Sequence, residues 1–310
     1  MPFEHEMKNA ETGYHVPVMR QEVIDWLAVE ADHVIVDATL GGGGHTEAIL
    51  NAEPHCRVVG LDADPDAIRF ASERLKKFGE RFIPRMVNFR DIKDVLSDLN
   101  IASVNGILMD LGVSSFQLDR SERGFSYRHD KPLDMRFSDR QTLTAARIIQ
   151  TYPEAKLADI FFHYGEERHS RRIARAIVRQ RGFHEIKTTH DLAEAVRSAV
   201  GPRFVNKTLS RVFQSLRIEV NGELENLKHA LSAALSVLKS GGRIVVIAYH
   251  SLEDRIVKNF FKAHTHSERD PLELHRLTVL TKKPVVPSEE EVKNNPRARS
   301  AKLRVAERTI

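Results

Sequence analysis

The apolar run Val34-Ile35-Val36 closes on Asp37 and passes directly into Thr39-Leu40-Gly41-Gly42-Gly43-Gly44-His45, ahead of a helical pattern. A strand that turns into a helix through four glycines predicts an α/β fold with a ligand seat at the turn. Glycine brings no Cβ, so the backbone can approach a ligand closely, and its tolerance of positive φ permits the tight turn. A second apolar strand, Val58-Val59-Gly60-Leu61, ends at Asp62, 21 residues after Gly41. Such folds place a carboxylate against ribose hydroxyls at about this interval. Turn and acid together predict an adenosyl ligand.

A dinucleotide site would add a third glycine where the helix packs on the sheet. The two candidate positions hold Thr46 and Glu47, and the latter would set an anion near a pyrophosphate. Asp37-x-Thr39-x-Gly41-x-Gly43 instead resembles the first motif of class I methyltransferases, whose cofactor has no phosphate and whose ammonium group suits nearby carboxylates. Taken alone, the loop also fits a tight turn in some other α/β protein.

Short apolar strands at 33–37, 57–61, 82–87 and 105–109 alternate with helical patterns near 45–52, 65–77 and 91–98, as a parallel sheet requires. From 115 to 209 only helical segments are predicted, near 142–149, 153–163, 168–181 and 188–199. A helix around 221–239, with Leu224, Leu227, Leu231, Leu235 and Leu238 at helical spacing, leads into a strand at 241–249. Alternation at Leu277 and Val279 and at Leu303 and Val305 predicts a closing antiparallel pair. The expected fold is α/β: a Rossmann-like sheet of class I methyltransferase type, mostly parallel with a terminal antiparallel strand. Its domain would comprise 1–114 and 210–310, with an all-helical insertion at 115–209. Residues 284–299, with three prolines and Glu289-Glu290-Glu291, read as a surface loop whose order is left open.

With 310 residues and 41% hydrophobic content, the chain can bury one large core or two modest ones. The single cysteine, Cys56, excludes an internal disulfide and favours the cytoplasm. The polar start and the short apolar run Ile244–Tyr249 point to no signal segment and no membrane role. Charge is unevenly placed. Residues 165–217 hold 12 Lys and Arg against five Asp and Glu, a local +7 in a chain of +4. Arg171, Arg175 and Arg179 repeat at helical spacing beside Arg168 and Arg172, opposite Ile173, Ala176 and Ile177. Such a stripe serves either as a solvated face or as a seat for a polyanion.

Ligands of an open parallel sheet lie beyond the carboxyl ends of the strands. Those ends carry Asp37 and the glycine turn, Asp62, Asp110 and Tyr249-His250-Ser251, with Phe89 placed to cover an adenine or simply to pack in the core. Asp110 is the candidate for orienting an acceptor nitrogen, with turn formation before Gly112 as the alternative. Ser251 is the expected helix N-cap, with Asp254 completing a capping pair, which leaves His250 to relay a proton. No metal site is expected: His163 and His169 are wrongly spaced for one helix face, and His264-x-His266 has no neighbouring ligands.

Asp110-Leu111-Gly112-Val113-Ser114-Ser115-x-Gln117-Leu118-Asp119, Arg123-Gly124-Phe125-Ser126 and Leu133-Asp134-Met135-Arg136 closely resemble one bacterial family. So do Tyr164-Gly165-Glu166-Glu167, Phe213-Gln214-x-Leu216-Arg217, His250-Ser251-Leu252-Glu253-Asp254-Arg255 and Asn295-Pro296-x-x-Arg299. These are motifs of the small-subunit ribosomal RNA cytosine-N4 methyltransferases, the methyltransferase H or MraW group. The resemblance implies transfer of a methyl group from S-adenosylmethionine to N4 of a decoding-region cytosine in 16S ribosomal RNA. It implies cofactor contacts at Gly43, Gly44, His45, Asp62, Phe89, Asp110 and Gln117, and a helical domain that helps hold RNA; the strand-end reading adds catalytic roles for Asp110, which accepts an N4 hydrogen bond or positions the cofactor, and for His250, which assists proton departure. Arg123 and Arg136 join Arg171, Arg175 and Arg179 as RNA candidates, Phe125 or Tyr127 could stack on the target base, with core packing the alternative for Phe125, and the expected partner is 16S RNA, in the small ribosomal subunit or naked. A homo-oligomer is left open. Two departures stand out: Asn206–Val212 replaces a proline-containing segment common in the family, and Tyr249 stands where Phe is usual.

Overall fold

The computed structural model describes residues 17–112, 122–265 and 276–309. The chain divides into two compact units, one of Met1–Gly112 with Leu224–Ile310, the other of Val113–Glu223.

The first unit is built on a seven-stranded sheet of order β3-β2-β1-β4-β5-β7-β6. Its strands are β1 (Val34–Asp37), β2 (Arg57–Asp62), β3 (Phe82–Met86), β4 (Val104–Asp110), β5 (Leu238–Ala248), β6 (Leu277–Val279) and β7 (Lys302–Arg308). Strands β1 to β5 run parallel, with Val36 opposite both Val59 and Ile107. β7 is antiparallel to both β5 and β6, so the closing pair expected from sequence is present. The chain winds from β1 out to β3, then crosses to β4 on the other side of β1. A sheet that reverses in this way opens a crevice beyond the carboxyl ends of β1 and β4.

Successive strand side chains point to opposite faces, and both faces are covered. Val36, Val59, Ile107 and Val246 pack with Ile92 and Leu96 of α4 (Ile92–Asp98), Leu227, Leu231 and Leu235 of α10 (Glu223–Val237), and Phe261 of α11 (Ser251–Ala263). Their neighbours Ile35, Val58, Leu108 and Val245 pack on the other face with Leu27 of α1 (Arg20–Leu27), Ile49 of α2 (Gly44–Ala52) and Leu75 of α3 (Pro65–Leu75). Leu238, expected on the leucine helix, instead opens β5, whose register shifts between Val104 and Gly106 of β4. Residues 284–299 are built rather than bare. Ser288 caps α12 (Glu289–Asn294), Val285 bridges to Leu303, and Glu291 Oε1 accepts from the Met19 N–H at 2.7 Å.

The second unit is helical. It holds α5 (Ala145–Thr151), α6 (Glu154–His163), α7 (Ser170–Arg181), α8 (Thr189–Ala199) and α9 (Val205–Asn221), around Leu157, Phe161, Ile173, Leu192, Val196 and Phe213. The boundary differs from the expected 209 and moves to Glu223. The reason is α9: Leu209, Val212, Phe213, Leu216 and Val220 fall at helical spacing and all enter the helical core, so the whole helix packs with this unit. Gly222, at φ 60°, ends the helix in the left-handed conformation. Among the described residues no helix is long and apolar enough to cross a membrane.

Candidate active site

The glycine turn is tied down by bonds from both sides. The Leu40 N–H donates to the Leu61 carbonyl and the Gly43 N–H to the Leu40 carbonyl, each at 2.8 Å. The Gly41 N–H donates to Asp62 Oδ2 at 2.8 Å, while Asp62 Oδ1 accepts from the Asp64 N–H at 2.9 Å. Asp37, fully buried at the end of β1, accepts from the Thr46 hydroxyl at 2.7 Å and from the Thr39 N–H at 3.3 Å. Burial pushes the Asp37 carboxyl up, against the pull of His45, Thr46 and Thr39. Burial likewise raises Asp62 to about 6, even with two N–H donors on it.

The glycines divide their work differently from the sequence expectation. Gly43 lies at φ 75°, and a Cβ there would stand 2.9 Å from Leu75 Cδ1. A Cβ on Gly44 would sit 3.2 Å from Pro17. Both positions are small because protein packs against them. At Gly41 (φ 50°) a Cβ would meet only the Thr39 carbonyl at 3.9 Å among the described residues, so this position has an open side.

Asp110 ends β4 and is held from three segments. Its N–H donates to Thr39 Oγ1 at 2.6 Å, its Oδ1 accepts from the Tyr249 hydroxyl at 2.8 Å, and its Oδ2 lies 3.4 Å from His45 Nε2. His45 is 6% exposed, and neither ring nitrogen has a hydrogen-bond partner among the described residues; the approach to Asp110 is close but not aligned. His45 is thus a buried imidazole unsatisfied among the described residues, beside a half-buried carboxylate.

His250 differs from expectation by one residue. It is itself the N-cap of α11, its Nδ1 accepting from the Glu253 N–H at 3.4 Å. Glu253 completes the capping box, with Oε2 accepting from the Tyr249 N–H at 2.9 Å and the His250 N–H at 3.3 Å. The expected cap Ser251 is inside the helix, and Asp254 pairs with Arg304 at 2.6 Å and Lys302 at 3.6 Å. Burial alone would raise the Asp254 carboxyl, but those two cations outweigh it and hold it below the usual range. The cap occupies Nδ1, while Nε2 is buried 3.1 Å from Glu253 Oε1 with no aligned hydrogen bond among the described residues. Phe89 is half-buried against the sheet core, just after β3. Gln117 lies outside the described residues.

The sequence matches a known family across residues 12–309, the MraW methylase family. This chain belongs to that family. It is 52% identical over 304 residues to the ribosomal RNA small subunit methyltransferase H of Carboxydothermus hydrogenoformans, covering 95% of this chain and 97% of that one. The protein of the same name from Kosmotoga olearia is 50% identical over 300 residues, covering 95% and 97%. That from Dehalococcoides mccartyi strain BAV1 is 49% identical over 306 residues, covering 96% and 87%.

A MraW methylase uses S-adenosylmethionine, and the residues present fit it. Asp62 and Asp110 offer acceptor oxygens, Gly41 has an open side, and His45 has unsatisfied nitrogens. Glu47, at a position where a dinucleotide fold needs glycine, is held ionised. Burial would raise it, but hydrogen bonds from Lys77 and Arg74 outweigh this and keep it low.

In the helical unit the MraW methylase separates its arginines into two groups. Arg123 donates to the Phe137 carbonyl at 2.9 Å and approaches Asp139, with its side chain 19% exposed. Arg136 chelates Asp134 through Nε at 2.8 Å and an Nη at 2.7 Å, and donates to the Gln141 carbonyl at 2.7 Å. Both guanidinium groups bond within their own loop. Phe125 is likewise buried, stacked on Phe137 at 5.5 Å. Tyr127 packs edge-on against Phe213 and bonds Ser210. By contrast, Arg171, Arg175 and Arg179 are exposed along α7, opposite buried Ile173, Ala174 and Ile177; among the described residues only a loose pair of Arg175 with Glu154 at 3.5 Å joins them to acid.

Proposed function

We propose that this MraW methylase transfers the methyl group of S-adenosylmethionine to the exocyclic N4 of a decoding-region cytosine in 16S ribosomal RNA, within the small subunit. The observation that carries the reading is Asp110: a carboxylate at the end of β4, its backbone held by Thr39 and its Oδ1 by Tyr249, facing a buried imidazole. The names of the relatives add the RNA.

The cofactor supplies an electrophilic methyl group on a sulfonium; this chain's residues do the rest. The N4 lone pair is delocalised into the cytosine ring, so an acceptor that aligns the amine and takes up developing positive charge contributes most. Asp110 accepts a hydrogen bond from N4 and receives the proton that N4 sheds as its bond to carbon forms and the methyl–sulfur bond breaks, leaving S-adenosylhomocysteine; the proton then passes to solvent. Asp62 would accept from the ribose hydroxyls, the backbone at Gly41, Gly43 and Gly44 with His45 would border the methionine end, and Phe89 would cover the adenine. The target base must leave its stack to reach Asp110, and the arginine face of α7 binds phosphates.

Assembled small subunits lacking the modification and naked 16S RNA, each incubated with methyl-labelled cofactor and digested to nucleosides, are expected to yield N4-methylcytidine at one site. Label in neither, with cofactor binding intact, overturns the RNA assignment. The raised Asp62 carboxyl makes a second prediction. Ribose hydroxyls favour the ionised form, so binding expels a proton wherever the free protein holds one, and affinity falls as pH drops through about 6. Calorimetry with S-adenosylhomocysteine should show affinity level above pH 7 and weakening by up to about tenfold per unit below pH 6, with the trend abolished in Asp62→Asn. Equal affinity at pH 5 and 7.5 contradicts the ribose role. Finally, replacing Arg171, Arg175 and Arg179 together by Gln should reduce the salt slope of RNA binding by about 2, at roughly 0.7–0.9 for each phosphate no longer neutralised. An unchanged slope would return the stripe to a solvated face.

A further inference from the structure

Tyr249 has a hydroxyl that packing does not need. Its ring rests against the buried cluster beneath β5, and a Cβ on Gly112 would come within 3.3 Å of its Cδ2, so the ring's seat is defined without the oxygen. Its N–H is held by Glu253 at 2.9 Å through the capping box of α11. Phenylalanine would occupy the same place. What the oxygen adds is one bond, 2.8 Å to Asp110 Oδ1.

That bond addresses a weakness of a lone aspartate. The last torsion of a carboxylate side chain is broad and two-fold, so its oxygens are poorly fixed unless a donor holds one of them. Thr39 fixes the backbone of Asp110, not its carboxylate plane. His45 faces Oδ2 without hydrogen-bond alignment. The donor to Oδ1 is the phenol, and it remains a donor: burial and the adjacent Asp110 charge push its ionisation well above the usual range.

We propose that Tyr249 is a positioning residue for methyl transfer, its hydroxyl holding Asp110 through Oδ1 so that Oδ2 is presented to the acceptor amine. This rests on the role proposed above for Asp110.

The test is a double-mutant cycle of single-turnover methyl transfer for the parent, Tyr249→Phe, Asp110→Asn and the double variant, with S-adenosylhomocysteine affinity measured for each. Tyr249→Phe is expected to slow transfer on the order of tenfold, the scale of one charge-assisted hydrogen bond. Its cofactor affinity should stay within about twofold of the parent, and it should have no further effect once Asp110 is Asn. Parent-like transfer by Tyr249→Phe while Asp110→Asn is slow overturns the inference, as does equal slowing in both backgrounds. Parent-like transfer by Asp110→Asn is a separate result that overturns the role of Asp110 and this inference with it. Should Asp110→Asn leave no measurable transfer, the split decides. Slower maximal transfer by Tyr249→Phe at unchanged affinity supports positioning, and weakened affinity at unchanged maximal transfer overturns it.

Discussion

A single hydrogen bond, from the Gly41 N–H to Asp62 Oδ2, ties the glycine turn to the end of the neighbouring strand. A four-glycine segment has more backbone freedom to lose on folding than any other, and a turn left to itself would sample many shapes. The bond from Gly41, with that from Leu40 to Leu61, locks the turn over β2. It also holds the Asp62 carboxylate in place. The same contact therefore shapes the backbone side of the cofactor site and orients one of its acid groups. The raised Asp62 carboxyl shows what this arrangement costs: a partly desolvated anion is kept at a strand end, where a ligand can compensate it.

Thr39 extends this frame to the reacting end. Its N–H reaches Asp37 and its hydroxyl reaches the Asp110 N–H, so β1 and β4 are joined through one residue. Tyr249 adds β5 to the same junction. Carboxylates that the chain separates by up to 73 residues, Asp37 and Asp110, are thus brought to one crevice by parallel pairing alone. The helical unit contributes a different kind of chemistry. Its buried Ile173 and Ile177 place the arginines of α7 outward, while Arg123 and Arg136 serve its own loops.

Much of this is legible in the sequence because it depends on period and punctuation. Val34-Ile35-Val36 reads as a strand buried on both faces, and the rule that ligands lie beyond parallel strand ends selects Asp37, Asp62 and Asp110 directly. Other features depend on which neighbour wins a polar group. His250 and Ser251 are both acceptable caps, and the cap falls to His250 because Glu253, three residues on, is the acid that closes the box. Arg136 reads as free in the sequence, although its partner Asp134 stands two residues away in the same motif. The helix α9 is carried in the pattern Leu209, Val212, Phe213, Leu216 and Val220, which a domain boundary at 209 hides. The partner of the Tyr249 hydroxyl, 139 positions distant, leaves no local signal.

The most direct test is an experimental structure of the protein with S-adenosylhomocysteine bound. The account predicts the ribose hydroxyls on Asp62, the homocysteine portion along the Gly41–His45 turn and the sulfur directed toward Asp110, with the Tyr249 to Asp110 bond retained. A ligand seated elsewhere, or a ribose that makes no contact with Asp62, would contradict it.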